Sequence, residues 1–410
     1  MLVIHNISNL VTLRGNNLPR FGKEMNDVEI IEDGYIVIEN GVFIEIGTGS
    51  EYTKYKNATL VDASGKTVTP GLIDAHTHLV HGGSREHEFS MKLSGMSYLD
   101  ILNSGGGILN TVEKTRLASF EELYKKAEKS LNTMLSYGTT TVEAKSGYGL
   151  DVVTEVKQME VAKQLNKNHQ VNVVGTYMGA HAIPTEYKDN REDYIKLVKE
   201  LIVKVKFEDL AKFVDIFCEE GVFTLEESKE ILEYAKTIGL GIKIHADEIH
   251  DLGGAGLASS LKCISAEHLL ASSEEKLIKL AENRVIAVML PLTSFNLNAN
   301  YMKARFLIDN GGALAIATDY NPGSSPSENI QLAMQVASIK GRLTPKEVIT
   351  ATTINAAAAL GLETEMGSIE VDKKANFVIF DAPNLDYLIY HFGINHTNEV
   401  YINGKLAYKK

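Results

Sequence analysis

Eight apolar, β-branched runs recur between residues 69 and 362, and such a recurrence leaves few folds open to the chain. The runs are LIDAHTH, TTTVEAK, VNVVGTYMGAH, KFVDIFCEE, GIKIHAD, CISAEH, VIAVML and LAIATD. Between them fall amphipathic stretches such as SFEELYKKAEKSLNTMLSY, DVVTEVKQMEVAKQLNK, TLEESKEILEYAKTI and SSEEKLIKLAEN. Several of these open on Ser, Thr or Asp followed by acidic residues, the pattern of a capped helix N-terminus. Strands that alternate with helices pair in parallel, and eight such units predict an α/β fold of the (β/α)8 TIM-barrel type rather than an open sheet. Functional residues of such a barrel collect at the C-terminal ends of its strands. Two further helical stretches, TPKEVITATT and INAAAALGL, are expected to close the barrel.

The flanks have a different texture. Residues 1–68 contain LVIHNI, VEIIEDGYIVIENGVFIEIGTG and ATLVDASGKTVTP, and Asn40-Gly41 between IVIE and VFIEI is a two-residue hairpin signal. Residues 363–410 return to this pattern in MGSIEVDKKANFVIFDAP and NEVYINGKLAY, with a second such turn at Asn403-Gly404. These flanks predict one small composite β-sandwich domain, formed by 1–68 and 363–410 around a barrel spanning 69–362.

Composition narrows the partners. With 41 Lys and Arg against 53 Asp and Glu, the net charge of −12 offers no basic footprint for nucleic acid, so an anionic small substrate would need a local positive pocket. Only Cys218 and Cys263 are present, which fits a reducing cytosol rather than a disulfide framework. The start MLVIHNISNLVTL lacks the basic and sustained apolar regions of a signal peptide, and no run approaches membrane-spanning length. A cytoplasmic enzyme without a membrane partner is expected, with a homodimer as the default assembly.

Polar residues accumulate where the barrel puts its chemistry. His76 and His78 sit at i and i+2, which places both on one face of an extended strand. Strand 3 runs into His181, strand 5 ends in His245, strand 6 in His268 and strand 8 in Asp319. One such histidine is more often a hydrogen-bonded core group, but six residues of this kind in register along a rim are hard to assign to packing. Imidazoles from His76, His78 and His245 with the carboxylate of Asp319 suit a divalent first-row metal. Such an ion lowers the pKa of its water from about 15.7 towards about 7 and so supplies hydroxide at neutral pH. Glu248, in HADE, lies far enough beyond His245 to face a substrate, where it can shuttle a proton or hold a ring N–H. His268 is placed to hydrogen-bond the nucleophile or a developing oxyanion.

The segments PGLIDAHTHL, GGSREHEF, SGGGILNTV, EAKSGYGL, GAHAIP, KIHADE, AEHL and ATDYNPGS together resemble the amidohydrolase superfamily and, within it, the imidazolonepropionase family of ring-opening hydrolases. The likeness covers essentially the whole chain. HxH alone points only to the superfamily, whereas REHEF, SGGGI, KSGYGL and DYNPGS point to the narrower family. The resemblance implies hydrolysis of the cyclic amide of 4-imidazolone-5-propanoate to N-formimidoyl-L-glutamate, with one zinc or ferric ion per subunit. By position, His76, His78, His245 and Asp319 match the metal ligands, Asp319 also matches the base that deprotonates the attacking water, and Glu248 and His268 match acid/base and polarising groups. Arg85, Tyr148, His181 and Glu248 match substrate contacts, and Asn321, Gly323 and Ser324 match a loop touching substrate or product. A guanidinium clamps a carboxylate bidentately, so Arg85 with His181 is expected to form the positive pocket. Deaminases of the same superfamily share the metal pattern, and that pair is what separates them from this reading. A non-catalytic relative that kept only the barrel would be expected to lose metal ligands, and all four are present. Some relatives bridge two metals with a carboxylated lysine from strand 4. KFVDIFCEE has none in its C-terminal half, so one metal is expected, with Lys145 in a structural ion pair and the SGGGI glycines, Gly105 to Gly107, in a loop over the site.

Overall fold

The computed structural model describes residues 1–15, 17–96, 100 and 106–410. Its centre is an eight-stranded parallel sheet of β1 (Leu72–Asp74), β2 (Thr139–Lys145), β3 (Asn172–Ala180), β4 (Phe213–Cys218), β5 (Gly241–Ala246), β6 (Ser265–His268), β7 (Ile286–Met289) and β8 (Ala313–Ile316), paired in sequence order. Each run read as a strand forms one. The sheet closes into a barrel just past the ends of β1 and β8, where the Asp319 N–H donates to the His76 carbonyl at 3.0 Å and the His78 N–H to the Tyr320 carbonyl at 2.8 Å. Buried Asp74 reinforces the seam, accepting from the Thr318 N–H at 3.0 Å and the Thr318 hydroxyl at 2.6 Å. Closure of the fold and placement of His76, His78 and Asp319 are therefore the same event.

The helices pack outside. Phe120–Ser136 and Leu225–Thr237 begin at full capping boxes on Ser119 and Thr224, and Val152–Asn168 is capped by Asp151. Ile354–Ala359 is built of alanines because it lies against the N-terminal ends of the strands, beside Ile73, Phe213, Ile286 and Ala313, where larger side chains would not fit. Glu86–Leu93, Ile108–Leu117, Arg191–Phe207 and Gly254–Leu261 are further helices among the described residues. Of the glycine triplet, Gly107 caps Ile108–Leu117, and Gly105 lies outside the described residues. Among the described residues no helix is long and apolar enough to cross a membrane.

Both termini build the β layers. A six-stranded sheet runs in the order 405–409, 397–402, 377–380, 67–70, 9–11, 30–31, and its centre is the antiparallel pairing of Thr67–Pro70 with Phe377–Phe380. A four-stranded sheet from residues 2–7, 34–39, 42–48 and 59–62 packs on it through Ile4, Ile36, Ile38 and Phe43 against Val68, Phe377 and Ile379. Both Asn-Gly turns carry left-handed backbone, with φ of 51° and 85° at Asn40 and Gly41 and 48° and 69° at Asn403 and Gly404. Their tips meet: the Ala375 N–H donates to the Gly41 carbonyl at 2.8 Å and the Gly404 N–H to the Ala375 carbonyl at 2.9 Å. A Cβ on Gly404 would lie 2.6 Å from Ile38 Cγ2. Gly404→Ala is therefore expected to lower unfolding stability by about 2 kcal/mol, from left-handed strain plus displacement of Ile38. Urea denaturation checks this, and an unshifted midpoint would show that the tip contact constrains nothing.

Candidate active site

Six polar side chains converge at the C-terminal mouth of the barrel. His76 and His78 follow β1, His181 follows β3, His245 lies in β5, His268 ends β6 and Asp319 follows β8. All are buried. The ligand-type atoms of His76, His245 and His268 lie within 4.8 Å of one another, as do those of His76, His78 and Asp319. Asp319 Oδ1 is 3.4 Å from His76 Nε2 and 3.8 Å from His78 Nε2. Backbone strain accompanies this arrangement: His268 and Asp319 have φ of 68° and 53°, a region that costs a non-glycine residue about 1–3 kcal/mol and persists where the surroundings impose it.

The donor set fits a metal ion. Among the described residues, His76 Nε2 and His245 Nε2 are buried nitrogens without a hydrogen-bond partner, as is the neighbouring His268 Nδ1, a costly state for polar atoms unless something binds them. Burial, aided by Lys145 and the neighbouring rings, holds His76 well below the usual histidine range. Burial likewise brings His245 down to about 3 against the opposing pull of Asp215. These imidazoles are neutral at pH 7, the form that ligates metals. Burial pushes Asp319 up to about 7, opposed by His268 and by the Thr293 hydroxyl that donates to Oδ2 at 2.5 Å. A cation beside it would return it to carboxylate.

Behind the rings stands a row of acids that residue patterns did not single out. Glu267 Oε2 takes His76 Nδ1 at 2.7 Å, and Asp215 Oδ2 lies 3.1 Å from His245 Nδ1. Carboxylates in these places fix ring orientation and leave Nε2 facing the cluster. Lys145, at the end of β2, pairs with Asp215 at 2.6 Å and Glu143 at 3.0 Å rather than reaching the histidines. A period-two pattern marks these residues as inward-facing; nothing in it says that an inward acid meets a histidine three strands away.

The cluster opens into a cavity of about 370 Å³ lined by Arg85, Tyr148, His181, Glu248, His268, Asn321, Gly323 and Ser324 among others. Arg85 is the N-cap residue of Glu86–Leu93, and its Nη2 donates to Glu88 at 2.7 Å. Gly323 makes room for it, since a Cβ there would fall 2.1 Å from Arg85 Nη1. Tyr148 and His181 pack beside His78, at 5.5 and 4.8 Å between ring centroids. His181 differs from expectation: burial brings it down to about 4, so it is neutral at pH 7 and adds no positive charge. Its Nδ1 faces the Gly147 carbonyl at 3.1 Å, which places the proton there and leaves Nε2 as an acceptor. Asn321 is occupied within its loop. Its Oδ1 accepts from the Gly323 and Ser324 N–H groups at 2.8 Å each, and its Nδ2 donates to the Asp319 carbonyl at 2.7 Å and Ser324 Oγ at 2.8 Å. It shapes the turn that carries Gly323 and Ser324. Glu248 Oε2 sits 3.7 Å from His268 Nε2, and burial, with Glu219 nearby, pushes Glu248 up to about 7.

Residue patterns also missed Glu155, whose buried carboxylate gathers the N–H groups of Gly149 at 2.8 Å and Leu150 at 2.9 Å and so holds the loop bearing Tyr148.

The chain resembles solved structures of an adenosine deaminase from Xanthomonas campestris with bound zinc (TM-score 0.73, 20% identity, 99% of this chain and 92% of that one) and of E. coli guanine deaminase (TM-score 0.71, 16% identity, 100% and 99%), a likeness of fold alone. Curated relatives named imidazolonepropionase are far more similar: that of Alkaliphilus metalliredigens is 52% identical over 414 residues, covering 100% of this chain and 98% of its own, and that of Fusobacterium nucleatum 52% identical over 412, covering 100% and 99%. Residues 67–407 match the Amidohydrolase family, and the chain belongs to that family, in its imidazolonepropionase branch.

Proposed function

We propose that the chain hydrolyses 4-imidazolone-5-propanoate to N-formimidoyl-L-glutamate, the reaction of histidine degradation. The observation that carries this reading is one cavity holding both a cluster of neutral histidines with Asp319 and the guanidinium of Arg85, in a chain half identical to imidazolonepropionases over its full length. His76, His78, His245 and Asp319 would hold one zinc or ferric ion, whose Lewis acidity activates water and polarises the ring carbonyl when it is bound.

The chain's own groups divide the remaining work. Asp319 takes the proton of the attacking water, Thr293 holding Oδ2 while Oδ1 faces the histidines. His268 supplies an N–H to the oxyanion that forms as water adds to the carbonyl carbon. Glu248, kept protonated more readily by burial, holds the ring N–H edge or delivers a proton to the leaving nitrogen as the ring C–N bond breaks. Arg85 binds the propanoate, and Tyr148 and the neutral His181 border the ring. Ser324 and Gly323, on the turn that Asn321 organises, complete the wall.

Three outcomes are expected. In a substrate comparison, the protein consumes the imidazolone absorbance and releases no ammonia from guanine or cytosine; ammonia release without imidazolone loss would sink the assignment. Asp319→Ala loses about 10²–10⁴-fold or more in kcat and retains less metal by elemental analysis, because ligand and base go together; full turnover with undiminished metal content would remove Asp319 from both roles. Arg85→Ala raises KM by about 10–100-fold with a smaller change in kcat, since a charge-assisted hydrogen-bond pair is lost and Glu88 loses its guanidinium partner. An unchanged KM would take the propanoate away from Arg85.

A further inference from the structure

The positive charge of the cavity does not balance on Arg85 alone. The helix Glu86–Leu93 turns one face to the cavity, so that Arg85, Glu88, Phe89 and Lys92 line it at spacings of three, four and seven residues. Glu88, buried, accepts from Arg85 Nη2 at 2.7 Å and from the Gly107 N–H at 3.0 Å. The guanidinium thus arrives already paired with a carboxylate, and the pair is neutral. His181 is neutral as well. Among the described residues the only other cationic side chain on the wall is Lys92, one helical turn above Glu88, and it makes no ion pair or side-chain hydrogen bond there. Its ammonium lies below the usual lysine range because of partial burial and the nearby Arg85, with Glu88 opposing, which places it within the field of that pair.

We infer that Lys92 is a second contact for the carboxylate of the anionic substrate, supplying from the cavity wall the net positive charge that the Arg85–Glu88 pair lacks. The inference rests on the proposed function. Arg85 provides direction, through a planar fork whose Nη2 is pinned by Glu88; Lys92 provides uncompensated charge on a flexible stem. A cation at such a position acts on capture and on salt dependence more than on the chemical step.

The test uses the full-length metal-loaded enzyme with Lys92→Met, which keeps the apolar stem, and Lys92→Arg, which restores the charge. Lys92→Met is expected to raise KM for the imidazolone propanoate about fivefold to tenfold, leave kcat within about twofold, and flatten the fall of kcat/KM with added NaCl, while Lys92→Arg stays near the unsubstituted enzyme. A second arm measures binding of imidazole-4-propanoate and of its uncharged amide. Lys92→Met should weaken the carboxylate by the same factor and leave the amide unchanged. Equal weakening of both ligands, indicating a merely structural helix, or no change in KM, salt slope and carboxylate binding, overturns the inference. Absence of imidazolone turnover by the unsubstituted enzyme would overturn the proposed function instead, and the ligand pair would still decide whether Lys92 reads a carboxylate.

Discussion

Lys145 lies between Asp215 and Glu143 inside the barrel, and the mouth of the molecule depends on that buried arrangement of opposite charges. Lys243 extends it, pairing with Glu143 at 2.9 Å and lying 3.8 Å from Glu267, and all five side chains are fully shielded from solvent. Desolvating so many charges costs several kcal/mol each unless they neutralise one another. Here the two ammonium groups bind three carboxylates, and the surplus negative charge faces the imidazoles. Asp215 stays well below the usual carboxylate range because, although burial raises it, His245 and Lys145 outweigh burial. Glu267 is pushed up to about 7, chiefly by burial, with Lys145 and Lys243 opposing. Through Asp215 and Glu267 the network aims His245 and His76 at a common point. It also explains why Lys145 is committed to structure: its ammonium is paired with Asp215 and Glu143 behind the cluster.

The same economy governs the cavity wall. Arg85 reaches its place because Gly323 has no side chain, and Gly323 is held there by a turn that consumes every hydrogen-bonding valence of Asn321. Glu88 fixes the guanidinium and also the start of Ile108–Leu117 through Gly107, coupling two helices at the entrance. The strained backbone at His268 and Asp319 fits this pattern: barrel closure and turn hydrogen bonds impose conformations that local preference disfavours, and the side chains point inward as a result.

Much of the architecture was legible beforehand for a definite reason. A strand buried on both faces must be apolar and β-branched, so all eight barrel strands announce themselves, and Asn-Gly is one of the few pairs that readily supply two left-handed residues in a hairpin. Glu86–Leu93 carries a weaker signal because its helix begins at Arg85 without a side-chain cap and its cavity face sets Arg85, Glu88 and Lys92 beside the single apolar Phe89. A histidine's type alone suggests a cation because it titrates near neutrality, and only the depth at which His181 packs against His78 makes it neutral.

From its sequence alone, then, the chain's fold class, the composite β layers and the set of histidines and aspartate at the strand ends follow, because periodicity and residue chemistry are local properties. Tertiary structure alone decided which carboxylate backs which imidazole, that Asn321 spends itself on its own turn, and that Arg85 enters the cavity already paired. Those outcomes depend on through-space electrostatics between residues up to about two hundred positions apart, as between His76 and Glu267, and no local pattern encodes such a distance.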